Sequence, residues 1–227
     1  MFVSLHQPEF FPWAGFFNKI ATVQKMVLLD NVQFKKNYFD NRCRIIVGGE
    51  AKWLTVPVLH GGRHGQRICD VAIDNRSSWG KKMWRTLSQS YGNAPFWNDH
   101  ADFLETTLSR RWEKLADLNV TVIEYYCRYL DLACDLVLGT TIDVTSSGSD
   151  LVLDICRSLG ASEYLSGRLG VEYLDPESFD RAGIELRFQQ YEPGPYPQFN
   201  GPGDTPLSIL DMTMNLGRGA TGQIRAN

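Results

Sequence analysis

Two short apolar runs with a helical stripe between them constrain this chain more than any other feature of it. Val3-Ser4-Leu5 runs into His6-Gln7-Pro8, and a second run, Met26-Val27-Leu28-Leu29-Asp30, follows a break at Gln24. Between them Trp13, Phe16, Phe17, Ile20 and Val23 recur at steps of three and four, one apolar face of a helix. Continuous apolar strands are those covered on both faces, as in a parallel sheet. Strand 2–6, helix, strand 26–30 therefore reads as the crossover unit of an α/β sheet.

The middle of the chain has a different texture. Gly48-Gly49 separates two β-rich arms within 42–58, a hairpin signal, and Arg67-Ile68-Cys69-Asp70-Val71-Ala72-Ile73-Asp74 reads as a further strand. From Ser77 to Leu138 the pattern is helical, with helices expected over 77–91, 99–115 and 118–137. Strands are then expected at 140–145, 163–167 and 184–191, with helices at 147–160 and 175–183 between them. A Pro- and Gly-rich loop covers 192–206, and a last helix stops at Gly217. The fold class that fits is α/β: a mostly parallel, Rossmann-like sheet with helical crossovers, an inserted antiparallel β-hairpin region and a helical block. Residues 1–217 form one domain in this reading, with a β-rich insertion at 42–74 and a helical one at 77–138; 218–227 is expected to be a flexible tail.

Composition removes several function classes. The net charge is −3, so no global excess of cation is present to displace phosphate counterions, although a local basic patch remains open. No run approaches the length of a membrane span, and the N-terminus lacks the segments of a signal peptide. The five cysteines are odd in number and show no C-x-x-C pair, which fits reduced thiols in a cytoplasmic protein. His60 and His64 are separated by Gly61-Gly62, which breaks the helix a two-His metal site needs, and no metal site is expected. The sequence names no cofactor and no oligomeric state.

In parallel α/β sheets ligands bind beyond the carboxyl ends of the strands. His6-Gln7, Asp30 with Gln33, Ser146-Ser147-Gly148, Ser166-Gly167 and Gln189-Gln190 each follow an expected strand, so all converge on one edge. His6 reads either as a general base or as a strand-end cap. Asp30 either orients His6, binds a hydroxyl, or caps a loop. Ser146 to Asp150 reads as an anion site or a plain N-cap, and Trp13 as core. Gln33 to Arg44 mixes Lys35, Lys36, Arg42 and Arg44 with Asn37 and Asn41, which suits phosphates or a nucleotide, or else a solvated loop. Walker-type, dinucleotide and nucleophile-elbow signatures are missing.

The ordered blocks HQPEFFPWAGFFNKI, LLDNVQFKKNYFDNRCRI, WLTVPV, YLSGRLGVEYLD and LSILDMTMNLG resemble the WbqC-like protein family over nearly the whole chain. Genes of that family occur in bacterial O-antigen and other surface-polysaccharide clusters, and a glycine transferase role has been suggested for one product. The resemblance implies an enzyme of polysaccharide or related sugar biosynthesis that transfers an acyl or aminoacyl (glycyl) group to an amino sugar or nucleotide-sugar. Its implied partners are a sugar nucleotide or activated acyl donor, with charged tRNA as a further donor. Carried residue by residue, the motifs place His6, Gln7, Asp30, Gln33, Asn41 and Arg42 in the site, with Lys36 beside them. Thr55 comes from the third block, Ser166, Gly167, Tyr173 and Asp175 from the fourth, and Asp211 from the last. His6 and Asp30 are the implied catalytic pair, and Arg42 and Lys36 the implied phosphate binders. The family commonly has a Trp and a Gln or Glu just before Asn41, so Phe39-Asp40 is a departure that bears on substrate choice. The first block also distantly resembles the nucleotidyltransferase-like group, with one histidine of its H-x-G-H signature. An ATP-dependent enzyme of that kind and a non-catalytic sugar-nucleotide binder are the alternatives.

Overall fold

A computed structural model of the chain describes residues 1–201 and 207–226. Five parallel strands make the sheet: β1 (Phe2–His6), β2 (Lys25–Leu28), β5 (Asp135–Leu138), β6 (Glu163–Ser166) and β7 (Glu185–Phe188). Their order is β5-β2-β1-β6-β7. The chain thus winds outward from β1 in one direction through β2 and β5, and in the other through β6 and β7. The topological switch lies between β1 and β6, where Ser4 pairs with Leu165.

Strand alternation divides the core in two. Val3, Leu5, Val27 and Tyr164 face a cluster with helices α5 (Gly148–Ser158) and α6 (Pro176–Arg181), through Leu151, Ile155 and Phe179. Met26 and Leu28 face the other side, with Phe16, Phe17 and Ile20 of α1 (Ala14–Thr22). The same cluster holds α2 (Trp79–Tyr91), α3 (Ala101–Ser109), α4 (Leu115–Tyr129) and α7 (Ile209–Leu216). The β3–β4 hairpin (Arg42–Val47 and Glu50–Thr55) packs its Cys43, Ile45 and Leu54 face there. Its turn runs through Gly48 and Gly49 at φ 62° and 83°, which side chains adopt only with strain. Trp13 is packed against this core as expected, and Gly15 permits it: a Cβ there would lie 2.2 Å from the indole.

Five expectations about elements need correction. Residues 67–74 do not form a strand: Ile68–Asp70 is a 3-10 turn, because Ile68 N and Cys69 N donate to the backbone of Val32 and Asp30 instead of to a neighbouring strand. The helix expected over 118–137 ends at Tyr129; Asp131 at φ 52° turns the chain and frees 135–138 to become β5. Residues 140–145 are consequently not a strand but follow one, beginning with a 3-10 turn, Gly139–Thr141. The tail is not frayed: Ala220–Arg225 forms α8, whose Ala220 and Ile224 are fully buried, and Asn18 Nδ2 donates to Ile224 O at 2.8 Å. The helix expected over 99–115 also splits, into α3 and the start of α4. The loop expected over 192–206 is seen from 192 to 201; its remainder, residues 202–206, and Asn227 of the tail lie outside the described residues.

Candidate active site

His6 is the last residue of β1. Val3 and Leu5 point to the α5 side, so alternation sends the His6 ring to the α1 side, where it meets Phe16 edge to face at 5.0 Å. Its Nδ1 lies 3.0 Å from Gln7 O. A carbonyl oxygen only accepts, so Nδ1 carries the proton and Nε2 keeps a free lone pair. A quarter of the side chain is exposed, at 25%. Burial, and then the charge of Lys19, lower its pKa from 6.5 to about 3, so the imidazole is neutral at physiological pH.

Three further ionisable groups crowd this histidine. Lys19, on α1, is only 3% exposed. Its Nζ stands 3.5 Å from where a Cβ on Gly167 would lie, which places the ammonium beside the backbone at the end of β6. Among the described residues no ion pair or hydrogen bond is made to that nitrogen. Burial lowers its pKa from 10.5 to about 8, against the pull of Glu9. Glu9 has Oε1 3.9 Å from His6 Nδ1, while its Oε2 is buried without a hydrogen-bond partner. Burial, and then Asp40, raise Glu9 from 4.5 to about 8. Asp40 is fully buried and raised to about 6 by burial; its Oδ2 accepts from Lys35 N at 2.9 Å and its Oδ1 has no partner.

The loops carrying these groups are fastened together. Buried Asn119 donates from Nδ2 to Pro8 O at 2.7 Å and to Asp40 O at 2.8 Å, and Phe10 N donates to Phe39 O at 2.9 Å. Within the first loop Phe11 holds φ at 44°, a left-handed conformation costly for an aromatic residue and kept by its complete packing. A neutral imidazole, a desolvated ammonium and an acid poised near neutrality therefore meet at the β1–β6 switch point.

The expected site residues divide into three groups. His6, Gln7, Ser166 and Gly167 sit at the switch point. Ser166 itself is buried, its Oγ donates to Gly167 O at 3.2 Å and its carbonyl accepts from Gln189 N at 2.8 Å. Lys36, Asn41, Arg42 and Thr55 lie on the hairpin and the loop before it. Asn41 spans that loop, donating to Val56 O at 2.9 Å and accepting from Asn37 N at 3.2 Å. Gln33, exposed, bridges Arg67. The rest serve elsewhere. Both Asp30 oxygens accept from Thr140, from its N–H and its hydroxyl, each at 2.8 Å, so Asp30 ties β2 to β5 and makes no hydrogen bond to His6. Tyr173 and Asp175 are exposed after β6, where Asp175 opens α6. Buried Asp211 accepts from Tyr91 at 2.8 Å, Tyr196 at 2.6 Å and Gln198 at 2.8 Å, anchoring the 192–201 loop. The Ser146 hydroxyl is turned onto the Asp154 carboxylate at 2.7 Å, not outward.

Sequence reasoning passed over Glu9 and Lys19, and read Asp40 only as a departure from the family pattern, not as an inward-facing acid. A signal existed: Glu9 is the sole acid, and Lys19 the sole Lys or Arg, between Val3 and Ile20. Lys19 also falls three residues after Phe16 and four before Val23, inside the apolar stripe, where an exposed lysine has no place. A separate cavity of about 640 Å³ between α2 and α3, lined by Trp79, Trp84 and Arg110 among others, shares no residue with this cluster. Among the described residues no three His, Cys, Asp or Glu side chains gather to hold a metal, and no helix is long and apolar enough to cross a membrane.

The sequence profile of the WbqC-like protein family matches residues 7–223. The chain belongs to the WbqC-like protein family. An uncharacterised protein of Mycobacterium tuberculosis is 30% identical over 225 residues, covering 98% of this chain and 97% of its own. No solved structure matches. The match thus opens on the loop that carries Gln7 and Glu9 and leads into the helix of Lys19.

Proposed function

We propose that this WbqC-like protein transfers an acyl or aminoacyl group to the amine of an amino sugar, carried as a nucleotide-sugar, in bacterial surface-polysaccharide or related sugar biosynthesis. The observation that carries the reading is the pairing of a neutral imidazole, its Nδ1 taken up by Gln7 O, with a buried ammonium that makes no hydrogen bond or ion pair among the described residues. His6 Nε2 takes the proton as the amine nitrogen bonds to the acyl carbon. Lys19 and the backbone at Gly167 face the oxygen that gains negative charge. When the carbonyl reforms, the bond to the leaving group breaks and the proton passes from His6 to that group.

A proton affinity near pKa 3 is weak for a base, and the site offers its own remedy. Part of the depression is the charge of Lys19. An anion drawn to Lys19 cancels that charge and raises the proton affinity of His6 by that part, while the larger part, due to burial, remains. Arg42 and Lys36, on the adjoining loop and hairpin, hold the phosphates of the nucleotide carrier.

A second reading has one specific observation in its favour. An imidazole and an ammonium at the end of the first strand and on the first helix also suit nucleotide phosphates, as an ATP-using nucleotidyltransferase needs. One assay separates the two. The protein is incubated with UDP-, dTDP- and GDP-linked amino sugars and an activated acyl donor, with and without ATP. Acyl transfer predicts a product heavier by the acyl group without pyrophosphate release, lost in His6→Ala. Pyrophosphate release that requires ATP would replace this reading with the second.

A further inference from the structure

The β3–β4 hairpin turns a charged, aromatic face away from the core. Arg42 and Arg44 alternate with buried Cys43 and Ile45, and the register sets Arg44 opposite Trp53 and Arg42 opposite Thr55. Both guanidinium groups lie against the same indole, their carbons 3.9 Å and 5.6 Å from its centroid. Trp53 nonetheless stays 41% exposed, an unusual state for a tryptophan with no structural task at the surface. Phe39 comes within 5.7 Å of it, Tyr38 within 5.1 Å of Phe39, and Lys35 lies over the half-exposed Tyr38 ring.

Lys35, Lys36, Arg42 and Arg44 make no ion pair among the described residues, although the charge of Lys35 acts on the Asp40 carboxyl. The Nε of Arg42 is buried without an acceptor. The one carboxylate within the strip's own segment, Asp40, is turned inward toward Glu9. A chain of net charge −3 thus carries four cations outside any ion pair among three rings, and the segment bearing them is bonded to the His6 loop through Phe10 and Phe39.

We infer that this strip is a nucleotide-binding platform: a base stacks on Trp53 while its phosphates engage Arg42, Arg44 and the Lys35–Lys36 pair. Planar bases stack on exposed aromatic rings, and unmatched arginines chelate phosphate oxygens. The inference deepens the proposed function, since it names the handle by which the carrier of the reacting group is held. The same chemistry is presented by a free nucleotide-sugar and by the single-stranded end of an RNA carrying an aminoacyl ester.

The test reads binding, not turnover. UDP, dTDP and GDP are titrated calorimetrically, and a fluorescein-labelled single-stranded RNA hexamer is followed by anisotropy, at 50 and 200 mM salt. At least one probe is expected to bind. Trp53→Ala should weaken it by about 5- to 100-fold, the worth of one base–ring stack. Arg44→Gln should weaken it and flatten its salt dependence. Both side chains are at the surface, and unchanged melting curves verify folding. Preference for the hexamer assigns the platform to an RNA end, and preference for a diphosphate to a free nucleotide. No binding below 1 mM by any probe, or binding indifferent to Trp53→Ala, overturns the inference. His6→Ala should leave platform binding intact, so loss of turnover there and loss of binding at Trp53 fail separately.

Discussion

Replacing Lys19 with methionine should stabilise the protein while abolishing its activity. Methionine keeps the unbranched length of lysine and drops the charge. Burial lowers the Lys19 pKa from 10.5 to about 8, which means the fold bears a cost for the proton that the unfolded chain does not. At about 1.4 kcal/mol per pH unit that cost is about 3 kcal/mol at pH 7. Below pH 8 both states are protonated and the cost stands in full. Between pH 8 and 10.5 only the unfolded chain is charged, so the folded state gains relative stability as pH rises. Lys19→Met should therefore unfold about 3 kcal/mol later at pH 7, a rise in melting temperature of about 6–12 °C, with the difference falling to about half by pH 9.5. Urea denaturation followed by circular dichroism at pH 7 and 9.5 measures both numbers. A variant less stable than the parent by 1 kcal/mol or more at pH 7, or a gain that does not decay with pH, would refute the idea of an uncompensated ammonium.

Other perturbations follow from the same site. Glu9→Gln should be near neutral at pH 5 and stabilising by about 4 kcal/mol at pH 9, because a carboxyl raised to about 8 resists the ionisation that the unfolded chain completes near 4.5; chemical denaturation at both pH values checks it. Asn119→Ala leaves the carbonyls of Pro8 and Asp40 without their shared donor and should cost about 2–4 kcal/mol, read as a lower urea midpoint with unchanged slope. Asp30→Asn should lower stability but spare turnover, since its partner is Thr140; loss of kcat with a normal melting curve would return Asp30 to the catalytic set. His6→Ala should cut kcat by about 100-fold or more with folding unchanged.

Much of the scaffold was legible because its signals are local. The continuous run at Met26–Leu28 and the Gly48-Gly49 pair need no distant partner to be read. Strand β5 was not legible: Asp135–Leu138 is apolar enough to continue the helical period of α4, and only the left-handed turn at Asp131 separates them. That slip displaced the strand end from Leu138, and with it the reason Asp30 bonds Thr140. Helix α8 hid behind Gly217, Gly219 and Gly222, although Ala220 and Ile224, four apart, are the residues it buries on α1. The strand-end rule placed His6 and Ser166-Gly167 together at neighbouring strand ends, because those positions are fixed by topology. It passed over Glu9 and Lys19, whose roles depend on burial that charge alone does not announce. Asp211, taken from its motif as a ligand residue, holds Tyr91 and Tyr196, contacts that its place in the sequence does not show.

His6 should stay neutral with Nε2 free beside a charged Lys19, and gain proton affinity when an anion reaches that lysine. Long-range proton–nitrogen correlation spectra of the imidazoles, with the His6 signal identified by its loss in His6→Ala, observe this directly. The account predicts the Nδ1–H tautomer, unprotonated down to pH 5 in the free protein, with its titration moving upward when a bound nucleotide-sugar is present. A His6 that titrates near 6.5 in the free protein, carries its proton on Nε2, or ignores the ligand would contradict it.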